Sequence, residues 1–280
     1  MRIRSRGRSK PSLLLKLMQR VVTAPSGSTQ IDVVDGDDRY SFICDNLLTL
    51  RRATTLLIKE PGTIRWLREQ AKPGRVFLDI GANVGVYSIF AAPHLGAEGQ
   101  IYAVEPHLRN AVALMDNIML NQLSGRISVL AIALSREASV IDFNYGDWAT
   151  GSSHNQLQNG DAITLEDNPV ASELKAASSI DVLIAEKTMR SPDFIKIDVD
   201  GIELAILEGA TNLLGGPERP DSLQVEVESS NYIQIDEFMA DHGWDLKERH
   251  ATMAGTKRLK RGAVIEEIPH NVIYEPRASC

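Results

Sequence analysis

Apolar and polar positions follow a pattern that predicts alternating strands and helices over most of the chain. From residue 76 onward, short apolar runs of four to six residues are separated by longer segments with apolar residues at helical spacing. This alternation is typical of a doubly wound α/β sheet. Seven runs are predicted as strands of one core sheet: residues 76–80, 101–105, 127–132, 194–198, 223–227, 244–248 and 271–274.

The segments before the core have weaker patterns. Residues 13–21 place Leu13, Leu17 and Val21 on one face of a predicted helix, which would pack on its own domain or on a second copy in a homodimer. Residues 31–58 show alternation and turn residues that predict a hairpin or two, followed by irregular structure. Within residues 63–70, apolar positions predict a short helix before the core.

Three segments between the predicted core strands complete the prediction. Residues 110–120 carry Val112, Met115 and Met119 at helical spacing, and residues 140–144 resemble an edge or hairpin strand. Residues 146–177 are polar and rich in Gly, Asn and Ser, with little periodicity. A long irregular stretch inside a compact domain is typical of a functional loop, so we expect a mobile lid there.

Composition narrows the class of protein. Hydrophobic residues make up 43% and charged residues 24% of the 280 positions, which is typical of a soluble globular chain. The net charge of −7 gives no reason to expect nucleic-acid binding. Residues 1–20 hold seven basic and no acidic side chains, which favours a solvated tail over a contact with an anionic surface.

Cysteine content and hydropathy bear on location. The two cysteines, Cys44 and Cys280, form neither a disulfide framework nor a metal site, and a reducing compartment is therefore expected. No segment approaches the roughly 20 apolar residues of a membrane span, so no integral membrane association is expected. The prediction is a cytoplasmic protein.

Residues 76–88 are the strongest local motif. A buried strand ends in Asp79, and Gly81 and Gly85 then permit a sharp turn before a helix that begins at about residue 84. The dinucleotide fingerprint needs a middle glycine, but Asn83 stands there, and an acid before the turn repels phosphate. A cationic ligand without phosphate fits better, and S-adenosylmethionine has a sulfonium and an α-amino group. An ordinary strand-to-helix turn is the alternative.

Two residues at the end of the second predicted strand extend this motif. Glu105 lies 20 residues after Gly85, and its carboxylate oxygens can accept hydrogen bonds from the vicinal hydroxyls of a ribose. On its own it could equally be an incidental acid at a strand end. His107 follows, and either lies against the adenine or is a solvated loop residue.

Acids gather at the end of the fourth predicted strand. Asp198, Asp200 and Glu203 lie within six positions, and neighbouring like charges raise a pKa toward the range useful for proton abstraction. They also raise the question of a divalent metal, although no metal site is predicted. Glu203 at a helix start favours a capping role. Glu226, an acid within an apolar run, needs a partner or a function.

A base for a hydroxyl acceptor is the least determined part of the prediction. Asp198 is one candidate, because its strand would deliver it to the cleft at the carboxyl edge of the sheet. His154 in the polar loop is the other, because an imidazole titrates near pH 7. The remaining histidines have no metal-ligand spacing.

These motifs together resemble the FkbM family of S-adenosylmethionine-dependent methyltransferases. The residues that carry the resemblance are 79–85, Glu105 with Pro106, Ala133 to Ser135, 195–201 with Glu203, and Lys59 to Pro61. The resemblance implies a class I methyltransferase fold with strand order 3-2-1-4-5-7-6. It also implies cofactor contacts at these positions, Ala133 among them. Asp200 stands where the family commonly has a glutamate.

The resemblance covers roughly residues 59–276, so we expect a methyltransferase domain at 59–280 and an N-terminal extension at 1–58. It implies O-methylation of a hydroxyl on a sugar, polyketide or other small metabolite. Two alternatives from other classes remain: a catalytically silent protein that binds an adenosyl cofactor, and a nicotinamide oxidoreductase. The oxidoreductase needs pyrophosphate space that Asp79 and Asn83 do not provide.

Overall fold

The computed structural model describes residues 2–4, 28–153, 156–158 and 169–278. Its strands, in chain order, are β1 (Arg2–Arg4), β2 (Thr29–Asp35), β3 (Asp38–Cys44), β4 (Val76–Ile80), β5 (Gln100–Val104), β6 (Ile127–Leu130), β7 (Ala133–Leu134), β8 (Ser139–Tyr145), β9 (Gln156–Gln158), β10 (Ala171–Ser178), β11 (Phe194–Ile197), β12 (Ser222–Val227), β13 (Trp244–Ala251) and β14 (His270–Pro276). Its helices are α1 (Leu47–Lys59), α2 (Pro61–Gln70), α3 (Val86–Leu95), α4 (Leu108–Leu120), α5 (Ile180–Ala185), α6 (Glu203–Glu208), α7 (Thr211–Gly215), α8 (Tyr232–Asp241) and α9 (Met253–Leu259).

A seven-stranded sheet forms the centre of the molecule, and this confirms the predicted α/β class. The strands are ordered β6-β5-β4-β11-β12-β14-β13, which is 3-2-1-4-5-7-6 when the seven are counted along the chain. β14 runs antiparallel to both of its neighbours, and the other pairings are parallel. The carboxyl ends of the parallel strands therefore meet at one edge, where open α/β sheets bind ligands.

Helices cover both faces of this sheet, with an apolar core on each side. On one face Phe77 and Phe194 stack from adjacent strands with ring centroids 4.6 Å apart, and Trp66 of α2 packs edge-on against them. The other core forms between the sheet and helices α5 to α8. All five residues of β4 are buried, as expected for a central parallel strand.

The segment after the first hairpin corrects one prediction. The hairpin itself is confirmed as β2 and β3, but the irregular structure expected after it is wrong, because α1 occupies that place. Asn46 and Thr49 form a capping box at the start of α1, and Leu50, Ala53 and Leu56 make its buried face. The helix predicted at residues 13–21 lies outside the described residues.

The polar stretch at residues 146–177 is also more ordered than expected. β10 pairs antiparallel with β8 from Ala171 to Ala177, and β9 adds a short strand on the other side of β8. These strands and β7 form a separate four-stranded sheet, so the strand predicted at residues 140–144 belongs to this second sheet. Residues 154–155 and 159–168 lie outside the described residues.

The helix predicted at residues 110–120 is confirmed as α4, but it presents a different face to the core. Val112, Met115 and Met119 are 62%, 43% and 55% exposed, whereas Leu114 and Ile118 are buried. Polar Asn117 joins the buried face because its side chain bonds the backbone of Ile43 and Val84. Helical spacing of apolar residues alone therefore identified the helix and not its orientation.

The described part of the N-terminal extension shares the main core. Side chains of β2, β3 and α1 lie in the same apolar cluster as Phe77 and Phe90. The boundary at residue 58 stays a prediction. None of the helices in the described segments has both the length and the apolar character that crossing a membrane requires.

Candidate functional site

A cavity of about 290 Å³ opens at the carboxyl edge of the central sheet. One part of its lining comes from residues 81–85, Glu105 and residues 198–203, which we call the motif wall. Another part comes from α1 and residues 147–153, which we call the bridging wall, through Arg52, Lys59, Ser152 and Ser153. Its volume is near the lower end of the range for ligand pockets.

The turn after β4 is built around Gly81. Its φ is +78°, and a Cβ atom there would lie 1.9 Å from the backbone oxygen of Asp198. The absence of a side chain thus lets the end of β4 approach the end of β11. Gly81 and Ala82 both donate their amides to the Val104 carbonyl at 3.0 Å, which links the turn to β5 as well.

Two further residues of the turn adopt left-handed conformations before the helix begins. Asn83 has φ +52°, which is uncommon for a residue other than glycine, and Gly85 has φ +85° as the N-cap of α3. The helix therefore begins at Val86, two residues later than expected. Asn83 holds its conformation with its own amide, which donates to Glu105, and with its side chain, which donates to the Ser152 carbonyl.

Glu105 lies just after β5 and lines the cavity, as predicted for a ribose contact. Its Oε2 accepts from the Asn83 amide at 2.7 Å, and its Oε1 accepts from the His107 amide at 2.8 Å. A carboxylate offers about four acceptor positions, so Oε2 keeps room for a hydroxyl donor. Burial raises the pKa of Glu105 to about 7, although these amide bonds oppose the rise.

His107 is buried, so the interpretation as a solvated loop residue is wrong. Its Nδ1 accepts from the Asn110 amide as the N-cap of α4, and its Nε2 lies 3.1 Å from the Asp147 carbonyl. Burial lowers its pKa, which favours the neutral ring. It does not line the cavity, and the predicted adenine contact stays a prediction.

Side-chain hydrogen bonds from α4 and α1 to loop backbone hold residues 150–152 of the bridging wall in place. Asn110 accepts from the Gly151 amide at 2.7 Å and donates to the Ser152 carbonyl at 3.1 Å. From α1, the Arg52 Nε donates to the Gly151 carbonyl at 2.7 Å. Asn46, the N-cap of α1, donates to the Thr150 carbonyl at 2.8 Å. These bonds tie residues 150–152 to α1 and α4, and the mobile lid expected over residues 146–177 stays a prediction.

Asp79 is buried between α3 and β11 and does not itself line the cavity. The Ser88 hydroxyl donates to Oδ2 at 2.5 Å, while Oδ1 has no hydrogen-bond partner among the described residues. Burial raises its pKa, and the nearby Lys196 ammonium opposes that rise. The predicted cofactor contact of Asp79 stays a prediction. Lys196 acts on Asp79 and also pairs with Asp198, which lines the cavity.

Asp198 lies where the sequence predicts it, at the cavity and directly after β11. The buried Lys196 ammonium is 2.6 Å from its Oδ2. Burial alone would raise the pKa of Asp198, but Lys196, Lys59 and a hydrogen bond with Glu226 hold it well below its usual range. The carboxyl group of Asp198 is therefore ionised at neutral pH.

Glu226 is the partner that the sequence left open. Burial and the charge of Asp198 raise the pKa of Glu226 well above its usual range, so it carries the proton of the pair. Lys59, the last residue of α1, completes the cluster, and it also lies 2.5 Å from Oε1 of Glu60. At the cavity, Asp198 and Glu226 therefore share one proton, and the ammonium groups of Lys196 and Lys59 lie near this pair.

Glu203 is buried at the start of α6. Its Oε1 accepts from the Gly201 amide at 3.1 Å and its Oε2 from the Asn231 side chain at 2.9 Å. Neither contact caps α6, whose N-cap residue Ile202 has no side-chain cap hydrogen bond, so the expected capping bond is not formed. Burial raises its pKa to about 8, against the opposing effect of the backbone amides.

The other predicted site residues have different outcomes. Ala133 lines the cavity from β7, next to Leu134. His154 lies outside the described residues, and its role as a base stays a prediction. Within the described segments, His, Cys, Asp and Glu side chains form no group of three placed to hold a metal ion.

Sequence reasoning missed the cavity cations and one buried lysine. Lys196 stands in the middle of a buried strand, and a charged residue in an apolar run was available as a signal. Lys59 enters the sequence prediction only as one of the residues that resemble the family. No pattern in the sequence pointed to Arg52, because its role depends on a loop that lies 99 residues away.

The donor and acceptor set of the cavity fits an adenosyl cofactor. Gly81 leaves space where a Cβ would clash, and the free acceptor position of Glu105 faces a site that a ribose hydroxyl can occupy. Asp198 offers a negative charge for a sulfonium or ammonium group. A pyrophosphate would meet the same negative charge, which disfavours a dinucleotide.

Comparison with known proteins gives a family match. The Methyltransferase FkbM domain model matches residues 79–246, more than half of the chain. The hexuronic acid methyltransferase AglP of Haloferax volcanii is 26% identical over 155 residues, or 55% of this chain and 58% of that protein. This chain thus matches less than two thirds of that relative's length.

Two solved structures resemble the fold. Methyltransferase FkbM from Methylobacillus flagellatus matches with a TM-score of 0.49 and 14% identity over 75% of this chain and 50% of that one. The tRNA m1G37 methyltransferase of Methanocaldococcus jannaschii matches with a TM-score of 0.48 and 11% identity over 91% and 57%. Because both TM-scores lie below 0.5, neither structure bears on the function of this chain.

Proposed function

Because this chain belongs to the FkbM methyltransferase family, we propose that it transfers a methyl group from S-adenosylmethionine to an oxygen of a sugar-type acceptor. The observation that carries the proposal is the cavity, which brings the Gly81 turn, Glu105 and the anionic Asp198 to one space. The sugar-type acceptor is taken from the relative that is named for hexuronic acid.

The motif wall would hold the cofactor. Glu105 accepts a ribose hydroxyl at Oε2, and Asp198 attracts the positive end of the molecule. S-adenosylmethionine, when bound, supplies a methyl group on a positively charged sulfur. The walls of the cavity align the acceptor oxygen with that methyl and exclude water, which is the main catalytic task in a displacement of this kind.

Asp198 acts in this proposal as an orienting anion more than as a base. A carboxylate whose pKa is held well below its usual range is a weak proton acceptor at neutral pH. Its hydrogen bond with the protonated Glu226 and its contact with Lys196 leave it able to accept a hydrogen bond from the acceptor or the cofactor ammonium. His154 remains a predicted base.

The first experiment separates the three classes of function. Calorimetry with S-adenosylhomocysteine and with NAD should give binding of the adenosyl compound alone. Incubation with S-adenosylmethionine and a panel of neutral and acidic monosaccharides should then yield a methylated sugar by mass spectrometry. Binding without turnover on any acceptor would favour the silent binder, and binding of NAD alone would overturn the proposal.

Two variants test the assigned residues. Glu105→Ala should weaken S-adenosylhomocysteine binding by about 1.5–3 kcal/mol, because a charge-assisted hydrogen bond is lost.

Asp198→Asn should lower both cofactor affinity and turnover if Asp198 acts as an orienting anion. A drop in kcat of about 10²–10⁴ with intact affinity would instead assign it as the base. Asp221→Asn, at an exposed surface acid, is the matched control.

Location, assembly and acceptor identity stay predictions. The cysteine content predicts a cytoplasmic protein, and the net charge of −7 predicts no nucleic-acid partner. The small-molecule hydroxyl acceptor is what the family resemblance implies. A homodimer would be tested by light scattering across a range of protein concentrations.

A further inference from the structure

Helix α1 brings two cations to a cavity whose other charged residues are acids. Arg52 and Lys59 are seven residues apart, which is about two helical turns or roughly 10 Å along the axis, so both lie on one face. The acids that line the cavity are Glu105, Asp198, Asp200, Glu203, Glu226 and Glu228. α1 precedes residues 79–246, so both cations come from outside the matched family domain.

The two cations differ in their protein partners. Lys59 pairs with Glu60 and lies within electrostatic reach of Asp198 and Glu226. Arg52 donates its Nε hydrogen to the Gly151 carbonyl at 2.7 Å, which fixes the plane of the guanidinium. The other four N–H groups of Arg52 have no acceptor among the described residues, and no described carboxylate lies within ion-pair distance.

We infer that Arg52 binds a carboxylate group of a ligand in the cavity. The Nη1 and Nη2 hydrogens of a fixed guanidinium form a fork that matches both oxygens of a carboxylate. The charge of Arg52 lowers the pKa of Glu105, but Glu105 is not within ion-pair distance, so the Nη groups of Arg52 are left for a ligand anion in the cavity. The inference rests on the proposed function, which supplies two carboxylates: the amino-acid end of the cofactor and the acid group of a uronic-acid acceptor.

The first arm of the test concerns the cofactor. Binding of S-adenosylhomocysteine and of S-adenosyl-3-thiopropylamine, which lacks only the carboxylate, is measured by calorimetry for the wild type and for Arg52→Gln. If Arg52 holds the cofactor carboxylate, the variant should bind the first compound about 10- to 100-fold more weakly and the second unchanged.

The second arm concerns the acceptor. With S-adenosylhomocysteine present at saturation, D-glucuronate and its neutral analogue D-glucuronamide are titrated into the same proteins. If Arg52 holds the acceptor acid, the wild type should prefer glucuronate by about tenfold or more, and Arg52→Gln should lose that preference while it binds glucuronamide as before.

Controls separate recognition from support of the loop. Arg51→Gln removes the same charge from an exposed position of the same helix and should change neither arm. Asn46→Ser removes the contact between Asn46 and the loop at Thr150 but keeps Arg52, so it should keep the wild-type difference between acid and neutral probes. Arg52→Lys, which keeps the charge and loses the fork, should fall between wild type and Arg52→Gln.

Three results would overturn the inference in distinguishable ways. Unchanged affinity of Arg52→Gln for every acid and neutral probe, with normal wild-type binding, removes the carboxylate site and leaves the proposed function intact. A wild type that binds neither S-adenosylhomocysteine nor the sugars overturns the proposed function and the inference with it. An equal loss of affinity for acid and neutral probes assigns Arg52 to loop support and also overturns the inference.

Discussion

The motif wall and the bridging wall enclose the same cavity but are built in different ways. The motif wall consists of short segments that each follow a strand end, and glycine residues permit its left-handed turn. The bridging wall is held by hydrogen bonds between residues far apart in the chain, such as Asn83 with Ser152 at a separation of 69 and Asn46 with Thr150 at 104. The positions of the cavity acids thus follow from short local segments. The enclosure of the cavity depends on contacts between residues far apart in the chain.

The largest expected effect is at Gly81 of the motif wall. Gly81→Ala places a Cβ 1.9 Å from backbone that cannot move aside, so we expect the free energy of unfolding to fall by about 4 kcal/mol or more. Gly74→Ala is the control, because Gly74 has a similar φ of +84° with nothing within 4 Å of the added atom. It should lose only about 1–2 kcal/mol. Equal losses in urea denaturation would contradict the close approach of β4 and β11.

The second effect is a pH dependence from Glu203. Its pKa is raised to about 8 in the folded protein, so the folded state keeps a proton that the unfolded state releases near pH 4.5. Its contribution is therefore complete below that value and is lost as pH rises through 8. Between pH 5 and 7.5 this group should lower the free energy of unfolding by about 1.4 kcal/mol per pH unit.

Urea denaturation at several pH values checks this effect. Glu203→Gln should have a shallower decline of unfolding free energy with rising pH than the wild type. Glu98→Gln, which changes an exposed glutamate, should keep the wild-type slope. An identical slope in all three proteins would mean that Glu203 is ionised in the fold.

The third effect tests the bridging wall at Asn46. Asn46→Ala removes both the N-cap of α1 and the contact with Thr150, so a loss of about 2 kcal/mol in unfolding free energy is expected. Asn46→Ser keeps a capping oxygen and should lose about 1 kcal/mol. Ser179→Ala, which removes a cap without a long-range contact, should also lose about 1 kcal/mol. A full 2 kcal/mol loss in Asn46→Ser would mean that the cap contributes nothing.

The smallest effect is local and is seen by hydrogen exchange. Asn110→Ala should speed exchange at the Gly151 amide about fivefold, because its acceptor at 2.7 Å is lost. Amides of the β8–β10 ladder, such as that of Lys175, should keep their rates.

Slower exchange at residues 150–153 when S-adenosylhomocysteine is added would support the predicted closure of this loop. Equal protection with and without ligand would count against it.

The central sheet could be predicted because buried parallel strands are short apolar runs that end in turn residues. The same local logic located Gly81, Glu105 and Asp198, since each directly follows a strand at one edge of the sheet. Composition did not predict the strand at residues 171–178. That segment reads as polar because one of its faces is exposed, and its pairing with β8 is not visible in its own residues.

Polar contacts across the chain could not be predicted for a related physical reason. Asn110 and Arg52 have ordinary helical positions, and their roles depend on where the backbone of residues 151–152 lies. The ionisation of Asp198 likewise depends on Lys196 and Glu226, which come from two neighbouring strands. The sequence predicted an acid at this place and raised the prospect of a base, but only the packing makes it a firm anion.

The antiparallel β14 has a consequence for how the chain folds during synthesis. Among the described strands, β13 pairs with β14 alone, and β14 lies between β13 and β12 although it comes later in the chain. At roughly 5–20 residues per second, a ribosome needs about one to five seconds to make the residues between the end of β13 and the end of β14. For that time β12 presents an unpaired edge on which another chain could assemble. Slower translation of residues 252–276 should therefore increase aggregation of the nascent protein, with no change in the stability of the finished fold.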